Sequence, residues 1–181
     1  MKYFPKMIGE RLYLSPINGE DLERYAKWVN DPDVAKNVGL YSKMLSLTNE
    51  KKTLEKMSDE GHNYAMVLKE GDELLGNISL MEIDGVHRSA TLGLFIGEAA
   101  RRGKGYGAEA IRLILGYGFD TLNLHNIMLN VNSGNAQGIA CYKKVGFKEI
   151  GRRREARFID GRFFDDLSMD ILATEFRAKA K

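Results

Sequence analysis

Arg101-Arg102-Gly103-Lys104-Gly105-Tyr106-Gly107 lies between an apolar run, residues 91–96, and a long amphipathic segment that begins at Gly107. Three glycines at alternate positions remove the Cβ atoms that would hold a ligand off the backbone, so successive N–H groups can turn toward one anion. The helix expected after them adds its positive end at the same point. Two arginines and a lysine alongside make the guest a phosphate, and more specifically a pyrophosphate. A solvated, basic glycine turn is the competing reading of these residues taken alone.

Two familiar phosphate loops do not fit. A nucleotide triphosphatase loop ends in Gly-Lys followed by Ser or Thr, whereas Gly105 follows Lys104, so no hydroxyl is placed to hold magnesium. The dinucleotide fingerprint needs Gly-x-Gly-x-x-Gly and an acid at the end of a second strand. Here the glycine spacing differs and the strand expected over 127–131 ends in Asn132. A phosphate loop of a third kind is required.

Working outward from the loop, Ile111, Ile114, Leu115, Gly118 and Phe119 recur at helical spacing and predict a helix over 107–120. Strands are expected over 63–69, 74–81 and 90–97, joined by polar turns at Glu70-Gly71-Asp72 and Asp84-Gly85. They form a meander that delivers the chain to the loop. The connection through the 107–120 helix is long enough for a parallel crossover to 127–131. Asn135 then caps a helix over 136–145 closed by Gly146, and a hairpin turns at Asp160-Gly161 within 152–172. Before the meander, a strand over 11–15 precedes a helix capped by Asn18, with Leu22, Tyr25, Ala26 and Val29 on its inner face and Asp31-Pro32 as its stop. Trp28 is expected to pack in the core, the acceptor pocket being the alternative. Residues 32–47 read as short helix or loop, 48–60 as a helix with Thr48 as cap, and 177–181 as a charged tail.

The chain of 181 residues, 44% hydrophobic, is expected to form one domain spanning 1–181 with its core over about 9–173. Lys+Arg 27 against Asp+Glu 25 leaves a net charge of +2 with no long basic tract, which argues against nucleic acid as a partner. The single Cys141 excludes an internal disulfide, and the first ten residues lack the apolar stretch of a signal peptide. No apolar run approaches the roughly 20 residues needed to cross a bilayer. A cytoplasmic, soluble protein with no membrane partner is expected; the sequence leaves room for a homo-oligomer.

The element order and two motifs together resemble the GNAT superfamily of acyl-CoA-dependent N-acetyltransferases. Arg102-Gly103-Lys104-Gly105-Tyr106-Gly107 is similar to that family's acyl-CoA loop, and Asn135-x-x-Gly138-x-x-x-Tyr142-x-x-x-Gly146-Phe147 to its second signature. Residues 119–125 and the Asp160-Gly161 hairpin look like the branch holding ribosomal-protein N-terminal acetyltransferases and spermidine N-acetyltransferases, and residues 82–88 look somewhat closer to the spermidine enzymes. Two departures stand out: Gly138 where many relatives have Ser or Ala, and Thr91 where many have an acid. The second puts the usual candidate base in doubt.

The resemblance implies an α/β (α+β) fold: a mixed, mostly antiparallel sheet of about seven strands, helices on both faces and a central, splayed parallel pair. It implies transfer of an acetyl group from acetyl-CoA to a primary amine, a polyamine or a protein N-terminus, by direct attack, with CoA as product and no metal. Main-chain groups of Phe95 and Ile96 would pair with the pantetheine arm. Arg101, Arg102, Gly103, Lys104, Gly105, Tyr106, Gly107 and Ala108 would hold the pyrophosphate. Asn135 would fix the arm, and Tyr142 would both touch the cofactor and protonate the departing thiolate. Glu82 is the first candidate base and His87 the second; Cys141 reads as a small core residue. Asp165 and Asp166 with Glu82 would favour a polycation, whereas Arg152, Arg153 and Arg154 would favour an acidic peptide. A non-catalytic acyl-CoA sensor and a nucleotide switch are the other classes, opposed by Tyr142 and by the missing hydroxyl after Lys104.

Overall fold

A computed structural model describes residues 2–179. The chain divides into two compact units, Met1–Ser79 with Leu94–Leu113, and Leu80–Gly93 with Ile114–Lys181.

In the first unit, β1 (Met7–Ile8), β2 (Leu12–Pro16), β3 (Asn63–Leu68) and the first half of β4 (Leu74–Asp84) pair antiparallel in sequence order. Leu12, Leu14, Ala65, Met66 and Val67 are wholly buried, so these strands are apolar on both faces instead of alternating. Asn18 caps a 3₁₀ turn, Gly19–Asp21, which feeds α1 (Leu22–Asn30). Asp31 ends α1 and also caps α2 (Pro32–Ala35), its carboxylate accepting from Asp33 N with Pro32 in the first turn. The cap of α3 (Leu47–Asp59) is Ser46, whose hydroxyl accepts from Asn49 N, and not Thr48 as the sequence suggested. Trp28, 1% exposed, packs edge-on against Tyr25 and Phe95, and its indole N–H donates to Glu98. It is a core residue.

The second unit carries the end of β4, the start of β5 (Ser89–Ile96), β6 (Asn126–Asn132), α5 (Ala136–Val145), the long hairpin β7 (Lys148–Ile159) and β8 (Arg162–Leu172), and α6 (Ala173–Lys179). Helix α4 (Tyr106–Gly116) ends in a π-helical turn, Tyr117–Thr121, so the helix expected over 107–120 is two pieces. Part of the expected charged tail, up to Lys179, is helical in α6.

Among the described residues the strand order is β1-β2-β3-β4-β5-β6-β8-β7, eight strands where about seven were expected; the addition is the two-residue β1. β5 and β6 are the parallel pair. Their ladder holds only Ser89↔Asn126, Ala90↔Ile127 and Thr91↔Met128, after which β5 continues to Ile96 and β6 to Asn132.

Candidate active site

The glycine loop belongs to the first unit. Gly105 caps α4: its carbonyl accepts from Glu109 N at 3.1 Å, its φ is +86°, and it has no side chain to fill the capping position. A helix leaves its first N–H groups without intrahelical partners. Those of Tyr106, Gly107 and Ala108 are therefore offered to whatever anion reaches the loop, with exposed Gly103, Lys104 and Gly105 leaving the approach open.

The two arginines expected to help are engaged elsewhere. Arg101 pairs through two nitrogens with the Glu73 carboxylate, which raises its pKa further, and Arg102 donates to the carbonyls of Ile96 and Gly97 at 3.0 and 2.8 Å. They tie the loop to the turn before β4 and to the end of β5 and leave Lys104 as the loop's outward cation. Arg11, not singled out from sequence, donates to the Lys104 carbonyl at 2.9 Å and lies over the Tyr106 ring. Its only sequence signal is that it opens the strand expected over 11–15, which in the structure begins one residue later, at Leu12.

At the end of β5, Gly97 N donates to Leu75 O at 2.9 Å, and a Cβ on Gly76 would lie 2.0 Å from Phe95 O. Phe95 and Gly97 thus turn their main-chain groups toward β4. Strand alternation then turns those of Leu94 and Ile96 the other way. Phe95 accordingly supplies its ring to the Tyr25–Trp28 cluster, and of the two expected main-chain partners for the pantetheine arm only Ile96 faces away from β4. The Ile96 carbonyl is taken by Arg102, which leaves its N–H.

In the second unit, Asn135 caps α5 by accepting from Gly138 N at 2.9 Å. A Cβ on Gly138 would lie 2.6 Å from Asn135 Nδ2, so glycine at this position lets the capping side chain fold over the first turn. The turn before the cap is pinned by Asn132 Oδ1, which accepts from Gly134 N, and by Ser133 N, which donates to Asp165 O. Tyr142 lies further along α5, its ring edge-on to Phe147 at 5.9 Å. The residue keeps some exposed surface, yet burial pushes its phenol well above the usual tyrosine range, with the neighbouring Cys141 adding to the shift.

Glu82 lies in the same unit on β4, which runs three residues past the expected end at Met81, and it has φ +52°. Left-handed backbone in a non-glycine residue costs about 1–3 kcal/mol and marks a position worth testing for function. Its carboxylate accepts from the Thr91 hydroxyl at 2.8 Å. The residue that departs from the family pattern thus holds the candidate base. His87 is exposed in the following turn, its main-chain N–H donating to Asp84. Asp165 accepts from Glu155 N and from Arg152, and Asp166 grips Arg157 through both oxygens. Both acids thus have internal partners. Among the described residues no group of three His, Cys, Asp or Glu side chains converges to hold a metal ion, and no helix is long and apolar enough to cross a membrane.

The family model described as an acetyltransferase (GNAT) domain matches residues 11–148. The chain belongs to the GNAT acetyltransferase family. It is 28% identical over 153 residues to an uncharacterized N-acetyltransferase, p20, of Bacillus licheniformis, covering 82% of this chain and 85% of that one. The crystal structure of spermidine N-acetyltransferase from Vibrio cholerae in complex with CoA and spermine superposes with a TM-score of 0.80 at 28% identity, covering 92% of this chain and 98% of that one. A dodecameric structure of spermidine N-acetyltransferase from the same organism gives 0.77 at 27% identity over 94% of this chain and 99% of that one. The chain is an acetyltransferase with a GNAT fold.

Proposed function

We propose that the chain transfers the acetyl group of acetyl-CoA to a primary amine, a polyamine or a peptide N-terminus, within a ternary complex. The observation that carries this reading is the open cap at Gly105, where the N–H groups of Tyr106, Gly107 and Ala108 lack helical partners and, among the described residues, no side chain bonds to them. Gly103, Lys104 and Gly105 complete the cradle for the pyrophosphate. Residues 1–181 act as one catalytic domain, a reading supported by the family match over 11–148 and by structural likeness over more than nine-tenths of the chain.

Acetyl-CoA, when bound, supplies the electrophilic thioester carbonyl. The Ile96 N–H is the donor left at the end of β5 to pair with the pantetheine arm or polarise that carbonyl. Tyr142, kept protonated by its surroundings, donates its proton to the sulfur as the C–S bond breaks. Glu82, oriented by Thr91, takes the proton from the attacking amine through water. Asn135 first of all fixes the start of α5 and thereby the helix that presents Tyr142.

A polyamine acceptor is supported by the spermidine enzymes among the relatives, and a homo-oligomer by the dodecameric one. A reduced, cytoplasmic setting is supported by the chain's single cysteine, Cys141, which has no second cysteine to pair with in the sequence. The test is amine-dependent release of free CoA from acetyl-CoA across polyamines, N-terminal peptides, aminoglycosides and amino acids. Saturable release with one class supports the assignment. Thioester hydrolysis with no acetylated amine would overturn it.

A further inference from the structure

We infer that Arg11, at the entrance to β2, is the positioning residue of the phosphate loop and sets the direction of the Gly105 N–H. The inference rests on the reading that this loop holds the phosphates of acyl-CoA. Arg11 Nε donates to Glu109 Oε2 at 2.9 Å, and its main-chain N donates to Glu109 Oε1 at 2.8 Å. Nη1 donates to the Lys104 carbonyl at 2.9 Å, and the guanidinium carbon lies 4.7 Å from the centre of the Tyr106 ring. A Cβ on Gly105 would lie 3.3 Å from Nη2. One side chain therefore reaches the last residue before the cap, the cap itself, and the first and fourth residues of the helix.

The consequence follows from peptide geometry. In a planar trans peptide the carbonyl of one residue and the N–H of the next point in opposite directions. Drawing the Lys104 carbonyl to Arg11 turns the Gly105 N–H away from Arg11 and toward the open side of the loop. Glu109 holds the guanidinium in place, and its own carboxyl stays below its usual pKa although burial opposes this, because Arg11 and the N–H groups of Arg11 and Leu12 surround it. Arg101 and Arg102 cannot do this work, since their donors are committed to Glu73, Ile96 and Gly97. Lysine cannot replace Arg11, because a single ammonium lacks the planar fork that serves a carboxylate and a carbonyl together.

The Arg11 side chain is 44% exposed, and exposed ion pairs contribute little to stability. Its effect should therefore show in ligand affinity and not in melting. The experiment is calorimetric binding of CoA and acetyl-CoA to the wild type, Arg11→Lys, Arg11→Gln and Glu109→Gln, with melting curves and steady-state kinetics on each. The expected result is about 10- to 100-fold weaker binding in both Arg11 variants, the loss that goes with a charge-assisted hydrogen bond. KM for acetyl-CoA should rise in step, while kcat at saturation stays within about twofold of the wild type. Glu109→Gln should weaken binding in the same direction and add little when combined with Arg11→Gln, because both act through one contact. Wild-type affinity in a folded Arg11→Gln or Arg11→Lys protein would overturn the inference. Absence of binding in the wild type would instead overturn the assignment of the loop to acyl-CoA.

Discussion

At Tyr142 a desolvated phenol follows Cys141 on α5, with its ring against Phe147. Removing the hydroxyl keeps the ring contact and deletes only the proton, so Tyr142→Phe separates catalysis from packing. The expected outcome is a kcat lower by about 10² to 10⁴ with acetyl-CoA affinity near normal, measured by steady-state kinetics and calorimetry. Because the phenol's pKa is raised, its ionisation should not limit the alkaline side of the rate profile until well above the ordinary value of about 10. Glu50 is the opposite case, a residue whose burial costs stability. It is 3% exposed on α3, beside the buried Tyr25 with which it interacts electrostatically, and burial raises its pKa. The folded state therefore binds the proton more tightly than the unfolded chain, and stability is lost as pH rises from the ordinary carboxylate value through the folded one. Glu50→Gln should raise Tm at pH 7, by about 2–4 °C for each kcal/mol recovered, with the gain shrinking toward pH 4. Its position was readable in outline, since Glu50, Leu54 and Met57 share one helical face, but an acid on such a stripe is ordinarily read as solvated. Arg11 gave less warning still. Its partners Lys104 and Glu109 lie more than ninety residues away, and no local pattern reports a contact at that separation.

At the scale of elements, periodicity located α1, α3, α4 and the meander because each has one apolar stripe or a short apolar run between turn residues, and α5 was located by its Asn135 cap and Gly146 stop. It failed where the ends depend on particular hydrogen bonds. Ser46 and Thr48 are both plausible caps, and only the bond from Asn49 N decides for Ser46. The sequence reading ends β4 at Met81, ahead of the polar turn at Asp84-Gly85, whereas the strand runs on to Asp84, and the Thr91 hydroxyl that holds Glu82 belongs to the next strand. The orientation of Phe95 required knowing that Gly76 lies under its carbonyl. The α5 cap supplies an element-level test. Asn135→Ala removes the acceptor for Gly138 N and should cost about 0.5–2 kcal/mol of stability, whereas Asn135→Asp keeps a capping oxygen and should retain most of it. Thermal melting of both variants checks this. Equal losses in the two would mean that the amide nitrogen, not the cap, is what the fold requires.

For the whole molecule, the order of elements and the two motifs carried the family, and the eight-stranded sheet with β5 and β6 as its parallel pair agrees with that reading apart from the added edge strand β1. What the motifs could not convey is which charges remain available. Arg101, Arg102, Asp165 and Asp166 all look like ligand-binding groups in the sequence, and each is spent on an internal partner. The account therefore places acyl-CoA binding on backbone donors at Gly105 more than on side-chain charge. Calorimetric titration of acetyl-CoA into the wild type and into Gly105→Val, with ATP as a control ligand, tests this most directly. Valine is strained at φ +86° and its Cβ would lie 3.3 Å from Arg11, so the loop cannot keep its shape. The account predicts saturable acetyl-CoA binding by the wild type, weak or absent binding of ATP, and a loss of acetyl-CoA affinity of at least about 100-fold in a folded Gly105→Val protein, the loss of roughly 2.8 kcal/mol. Unchanged acetyl-CoA affinity in that folded variant would contradict it.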